Sequence, residues 1–236
     1  MFYKSRPARF ASGLGLPDSL LGSAWPVMQT EFGAPLSFAG LIAMVISACT
    51  IVSSLLSDFL TKKLGTGLVT AISVVMTAVA LFCFSISTQV WMLFVFAVPY
   101  GLGAGGVDAS LNNYVALHLK SRHMSWLHCM WGVGASISPY IMSFALTKGL
   151  GWSKGYLIVA VIQIVLSGVI FISLPFWKKR KDGASAEAAE KLKPLTPGQI
   201  IKTRGAVTCF ICFFAYCALE QTAMLWASSY MVFLNG

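Results

Sequence analysis

Long apolar runs separated by short polar turns set the rhythm of this chain. An α-helix needs about 20 predominantly apolar residues to cross the hydrocarbon core of a bilayer. Six runs meet that length: Phe38–Phe59, Leu68–Ile86, Val90–Leu117, Met124–Leu146, Tyr156–Phe176 and Ala206–Leu234. A weaker candidate, Phe10–Met28, precedes them, with Pro17, Asp18, Pro26 and several glycines and serines among its apolar residues. Connections as short as Ser87–Gln89 predict antiparallel neighbours and leave no room for an extramembrane domain; the one sizeable polar stretch is Lys178–Gly205. The pattern predicts an all-α fold, a polytopic membrane helix bundle of seven spans.

Composition agrees. Of the 236 residues 57% are hydrophobic and 11% charged, whereas a soluble domain carries about a quarter charged residues. There is too little polar surface to coat a globule of this size, so lipid must take its place, and the bilayer is the first partner. The formal charge of +9 does not point to nucleic acid, because the basic residues sit in short clusters between apolar runs without interleaved aromatics. They carry topology instead. With the N-terminus cytoplasmic, fifteen of the seventeen Lys and Arg fall on the inner side and only Lys148 and Lys154 on the outer, as the positive-inside rule requires. The expected location is therefore the plasma (cytoplasmic) membrane, N-terminus inside, with no cleavable signal peptide. The six cysteines lie inside spans, and the spacing of Cys209, Cys212 and Cys217 does not close a tetrahedral metal site; no metal or other cofactor is expected.

An ionisable side chain within a span costs about 2.5 to 3.5 kcal/mol on insertion scales, which makes each one a candidate functional group. Three carboxylates qualify, Asp18, Asp108 and Glu220. At a rise of about 1.5 Å per residue all three fall near the bilayer midplane, on the first, fourth and seventh spans. Asn112 lies one turn from Asp108 on the same helical face, with Asn113 beside it; Gln221 adjoins Glu220. Carboxylates among carboxamides suit a polar neutral solute such as a sugar, and a carboxylic acid in such a site can also carry a proton. Asp18, next to Pro17, reads equally well as a locally satisfied residue at a kink. Trp226 either stacks on a solute or anchors the interface. His128, about one turn into the fifth span, is a candidate proton relay, although an interfacial hydrogen-bonding role is the commoner use of such a residue.

Gly101-Leu-Gly103-Ala-Gly105-Gly106 matches the dinucleotide-binding pattern by letter only, since it lies inside a long apolar run rather than in a βαβ unit. Gly101, Gly105 and Ala109 follow the small-xxx-small spacing that lets helix backbones approach closely in a membrane. Pro99 adds a kink to that span, and Gly134, Ser138 and Pro139 repeat the device in the fifth. No hydrolase or metalloprotease pattern frames the polar residues, so nothing supports an enzyme.

The turn Ser57-Asp58-Phe59-Leu60-Thr61-Lys62-Lys63-Leu64-Gly65 is similar to the signature loop of the major facilitator superfamily, in which an acid, basic residues and a Gly gate the cytoplasmic side. The opening Gly of that signature is absent or replaced by Ser. Gly15-Leu-Pro-Asp-Ser-Leu-Leu-Gly-Ser-Ala-Trp-Pro26, Gly101 to Asn113, Leu127-His-Cys-Met-Trp-Gly-Val-Gly134 and Ala218-Leu-Glu-Gln-Thr222 resemble bacterial members near the fucose permease-like sugar and proton symporters. The resemblance implies a two-lobed carrier with alternating access around a midplane cavity lined by spans one, four and seven among others. It implies Asp108 as the proton- or solute-binding acid with Glu220 and Asn112 as solute contacts, and Asp58, Lys62, Lys63 and Gly65 as the cytoplasmic gate loop. It divides the chain into an N-terminal six-span lobe (1–177), a cytoplasmic central loop (178–205) and the first span of a C-terminal lobe (206–236). Such carriers have about twelve spans, so the chain is expected to be a fragment that does not complete a transport cycle alone. The expected function is proton-coupled transport of a small polar solute. The alternatives are an efflux carrier for amphipathic compounds and a non-transporting membrane partner.

Overall fold

The structure, a computed structural model, describes residues 15–178 and 197–235. After a turn at 15–19 comes α1 (Leu20–Phe32), then α2 (Ser37–Leu64), α3 (Thr66–Ser85), α4 (Val90–His118), α5 (Ser121–Thr147) and α6 (Gly151–Lys178). A short helical segment, Pro197–Lys202, precedes α7 (Ala206–Asn235). The fold is an all-α polytopic bundle, and α2 to α7 are each long and apolar enough to cross a membrane. The helices alternate in direction. The α2–α3 and α4–α5 connections, with Lys62, Lys63, Lys120 and Arg122, share one end, called here the basic end.

The first span departs from expectation. Its helix runs four residues past Met28 to Phe32, and it begins only at Leu20, after a turn in which Asp18 N–H bonds to the Gly15 carbonyl at 3.4 Å and Leu20 N–H to the Pro17 carbonyl at 3.3 Å. Pro17 has no N–H to donate and cannot continue a helix entered from Gly15; Phe10 to Leu14 lie outside the described residues. At its other end α1 stops on Gly33, whose left-handed φ of 59° lets the N–H groups of Gly33 and Ala34 close on the carbonyls of Thr30 and Gln29. The central loop also departs, in that Pro197–Lys202 is helical; residues 179–196 lie outside the described part.

Lipid tails are as apolar as leucine, so burial alone does not bring membrane helices together; close packing and hydrogen bonds do. The contacts of α4 show both. Gly101 and Gly105 press against α2, where a Cβ would collide with the carbonyls of Ile46 and Thr50, and Gly103 and Gly106 press against Ser73 and Thr77 of α3. That approach brings α2 hydroxyls onto α4 carbonyls: Thr50 to Gly101 at 3.2 Å, Ser53 to Leu102 at 2.6 Å and Ser54 to Gly105 at 3.4 Å. Thr70 of α3 and Ser110 of α4 share a buried bond of 3.1 Å.

Two apolar cores result. One, nearer the basic end, joins Ala71, Val74, Val107, Leu111, Val115, Leu127 and Ile170. The other surrounds α1, with Trp25, Met28, Ile42, Leu93 and Tyr156 fully buried. Aromatic edges stack through it from Tyr100 to Phe84, Tyr156 and Trp152, and Phe32 meets Trp152 at 5.4 Å. Trp152 Nε1 donates to Glu31 at 2.5 Å, tying α1 to α6. Outward-facing Leu55, Ile172, Phe214, Leu219 and Phe233 present an apolar exterior that suits lipid.

Candidate functional site

Between these cores the polar residues of α1, α4, α5 and α7 converge. Asp18 is half-buried in the turn before α1. Its carboxylate accepts hydrogen bonds from Trp131 Nε1 of α5 at 2.8 Å and from the Tyr100 hydroxyl of α4 at 3.2 Å. A buried carboxylate is expensive unless donors hold it, and these two donors, from helices far along the sequence, make Asp18 the link among three elements. Beside them the Ser19 hydroxyl donates to the Ala135 carbonyl at 2.7 Å.

Asp108 is placed differently. It lies nearer the basic end of α4 with an exposed side chain, and it accepts one bond, from Asn112 Nδ2 one turn on, at 2.8 Å. The Asn112 carbonyl oxygen is buried and without a partner. Glu220 is half-buried on α7, which packs against α1, and His128 lies on α5 three residues before Trp131, the partner of Asp18. The elements that carry the polar residues thus pack on one another, and a carboxylate held among them is relieved by a proton, a cation or a hydrogen-bonding solute.

Other residues singled out in the sequence lie elsewhere. Asn113 and Gln221 are exposed, each one position round the helix from the clustered residue. Trp226 is half-buried where α7 meets α1 and α2, its ring edge over Gly40 and against the core around α1; it serves helix packing there. The stretch read as a loop from Ser57 to Gly65 is helical as far as Leu64: in the last turns of α2 Lys62 pairs with Asp58 at 2.6 Å, both exposed, Lys63 is exposed, and Gly65 ends the helix with φ of 84°. Exposed pairs of this kind add little stability. Gly134 is buried in α5, and Pro139 lies inside the same helix.

Three residues of the arrangement were not singled out as site residues from the sequence. Trp131 and Ser19 fall there within the stretches that carry the family resemblance, without a role of their own, and Tyr100 falls outside them. For Trp131 a signal existed: a large ring flanked by Gly132 and Gly134 in a polar-tolerant stretch. For Tyr100 there was none. Among the described residues no group of His, Cys, Asp and Glu is placed to hold a metal ion.

A bundle of membrane-spanning helices that carries Asp18, Asp108 and Glu220 within it is of the class of polytopic membrane proteins. The family model of the Major Facilitator Superfamily matches residues 11–235, and the chain belongs to that superfamily. The chain is accordingly a membrane secondary transporter, fitted to a lipid bilayer and a small solute. No curated protein matches it.

Proposed function

We propose that the chain moves a small polar solute, a sugar by preference, across the plasma membrane by proton-coupled alternating access, near in type to the fucose permease-like symporters. The observation that carries this reading is the difference between the two acids of the N-terminal helices. Asp18 is engaged by Trp131 and Tyr100, whereas Asp108 is exposed and is hydrogen-bonded to Asn112 of its own helix. An acid that exchanges a proton and meets a solute must be reachable, and Asp108 is. Asn112 offers a carboxamide at the same place, matching the alternating donors and acceptors of a polyol. We assign Glu220 of α7 to the solute as a further contact, and His128, which lies towards the basic end of α5, to a proton relay to the cytoplasm.

The test is uptake of labelled mono- and disaccharides into energised membrane vesicles, comparing the parent with Asp108→Asn. The expected result is accumulation driven by an inward proton gradient in the parent and, for the variant, loss of accumulation while solute exchange without a gradient persists. A variant that still accumulates solute on the gradient removes Asp108 from proton coupling. A parent that accepts no sugar yet extrudes amphipathic dyes replaces the uptake reading with an efflux one.

A further inference from the structure

Pro139 leaves a gap in the hydrogen-bond ladder of α5. Proline has no N–H, so the carbonyl four residues earlier, that of Ala135, has no intrahelical donor. Within a bilayer such a carbonyl cannot turn to bulk water and has to be satisfied by protein. The group that reaches it is the Ser19 hydroxyl, at 2.7 Å and 5% exposed, from the turn that precedes α1. Two further contacts fix the same turn to the same stretch of α5. Gly15 lies so close that a Cβ would collide with the Trp131 carbonyl, and Trp131 Nε1 donates to Asp18 at 2.8 Å. The turn before α1 and the proline step of α5 thus meet, and at that step α5 lacks one helical bond of its own.

We propose that Ser19 supplies the donor that Pro139 lacks, so that the turn before α1 and the proline step of α5 form one joint, and that this joint positions the Asp18 carboxylate against Trp131. Ser19 is then a positioning residue: it touches neither solute nor proton and acts through the placement of its neighbour. The inference does not depend on the solute or on proton coupling.

The dependence on residue 139 makes it testable. With Pro139→Ala the helix regains an N–H for the Ala135 carbonyl, and the Ser19 hydroxyl loses its special acceptor. An ordinary interhelical hydrogen bond would have the same effect whatever stood at 139. The experiment is a double-mutant cycle on the full chain in lipid nanodiscs, with Ser19→Ala and Pro139→Ala alone and together. Two readouts are taken: the thermal midpoint, and the fluorine NMR signal of Trp131 in 5-fluorotryptophan-labelled protein, assigned through Trp131→Phe. In the parent background Ser19→Ala is expected to lower the midpoint by about 2–4 °C and to move the Trp131 resonance. In the Pro139→Ala background both effects are expected to shrink to less than a third. Equal effects in the two backgrounds, or no movement of the Trp131 signal in either, overturn the proposal. Pro139→Leu, which also restores the N–H, repeats the cycle with a different side chain if Pro139→Ala folds poorly.

Discussion

At the scale of single residues, the two acids near the middle of the bundle differ in what surrounds them, and their substitutions should differ accordingly. Asp18 accepts from Trp131 and Tyr100 across three elements. A hydrogen bond to a charged group contributes about 1.5–3 kcal/mol, and removing one partner strands the other. Trp131→Phe, which removes the shorter bond of 2.8 Å, is expected to cost more stability than Tyr100→Phe, which removes one of 3.2 Å. Thermal unfolding in detergent should rank them in that order, and the reverse ranking would show that ring packing outweighs the bonds. Asp108→Asn, at an exposed side chain whose Asn112 partner finds another oxygen acceptor, is expected to change stability by no more than about 0.5 kcal/mol. A large loss of folded protein from that substitution would make Asp108 a structural residue and would undercut its proposed part in coupling. Both acids were legible in the sequence, because a carboxylate in an apolar run stands out whatever the fold. Their partners were not. Tyr100 and Trp131 lie 82 and 113 residues from Asp18, and an aromatic in a span carries no mark of the hydrogen bond it will make.

At the scale of elements, glycine placement decides which helices touch. Gly105 of α4 faces the Thr50 backbone of α2 with no room for a Cβ, whereas Gly132 of α5 faces open space. Gly105→Ala should force the two helices apart, with an overpacking cost of about 1–3 kcal/mol and weakening of the Ser54 bond to its carbonyl. Gly132→Ala should be neutral or slightly stabilising, since alanine favours the helix by about 1 kcal/mol over glycine. Comparing the two variants by thermal unfolding separates packing from propensity; equal behaviour would mean that α2 and α4 are not held as described. The helices α2 to α7 were legible from apolar run length, with ends extended by up to five residues, because the polar residues that flank a span still favour helical backbone. The first span, already weak in the sequence for its Pro17, Asp18 and Pro26, ends later than apolar length alone gives, at Phe32 and not Met28, because Gln29 to Glu31 are polar. The helix continues there since Trp152 satisfies Glu31, a contact 121 residues away that no local pattern announces.

At the scale of the whole molecule, the alternation of helices gathers Lys62, Lys63, Lys120 and Arg122 at one end and leaves Lys148 and Lys154 at the other. The side-chain chemistry inside the bundle has the same polarity: Asp108 and His128 lie towards the basic end, and the aromatic stack from Tyr100 to Trp152 fills the opposite half. By the positive-inside rule the basic end, with Asp108 and His128 towards it, is expected to face the cytoplasm, and orientation can be measured. Thr88, exposed in the α3–α4 turn, and Lys63, exposed in the last turn of α2, mark the two ends. In intact cells a membrane-impermeant maleimide is expected to label Thr88→Cys above the background of the six native thiols, which all lie within helices. Lys63→Cys should gain label only after permeabilisation. The opposite pattern would place the basic end outside and turn Asp108 towards the exterior, so that a relay through His128 could not run to the cytoplasm, because the order of these groups along the bundle is the same whichever way it is inserted.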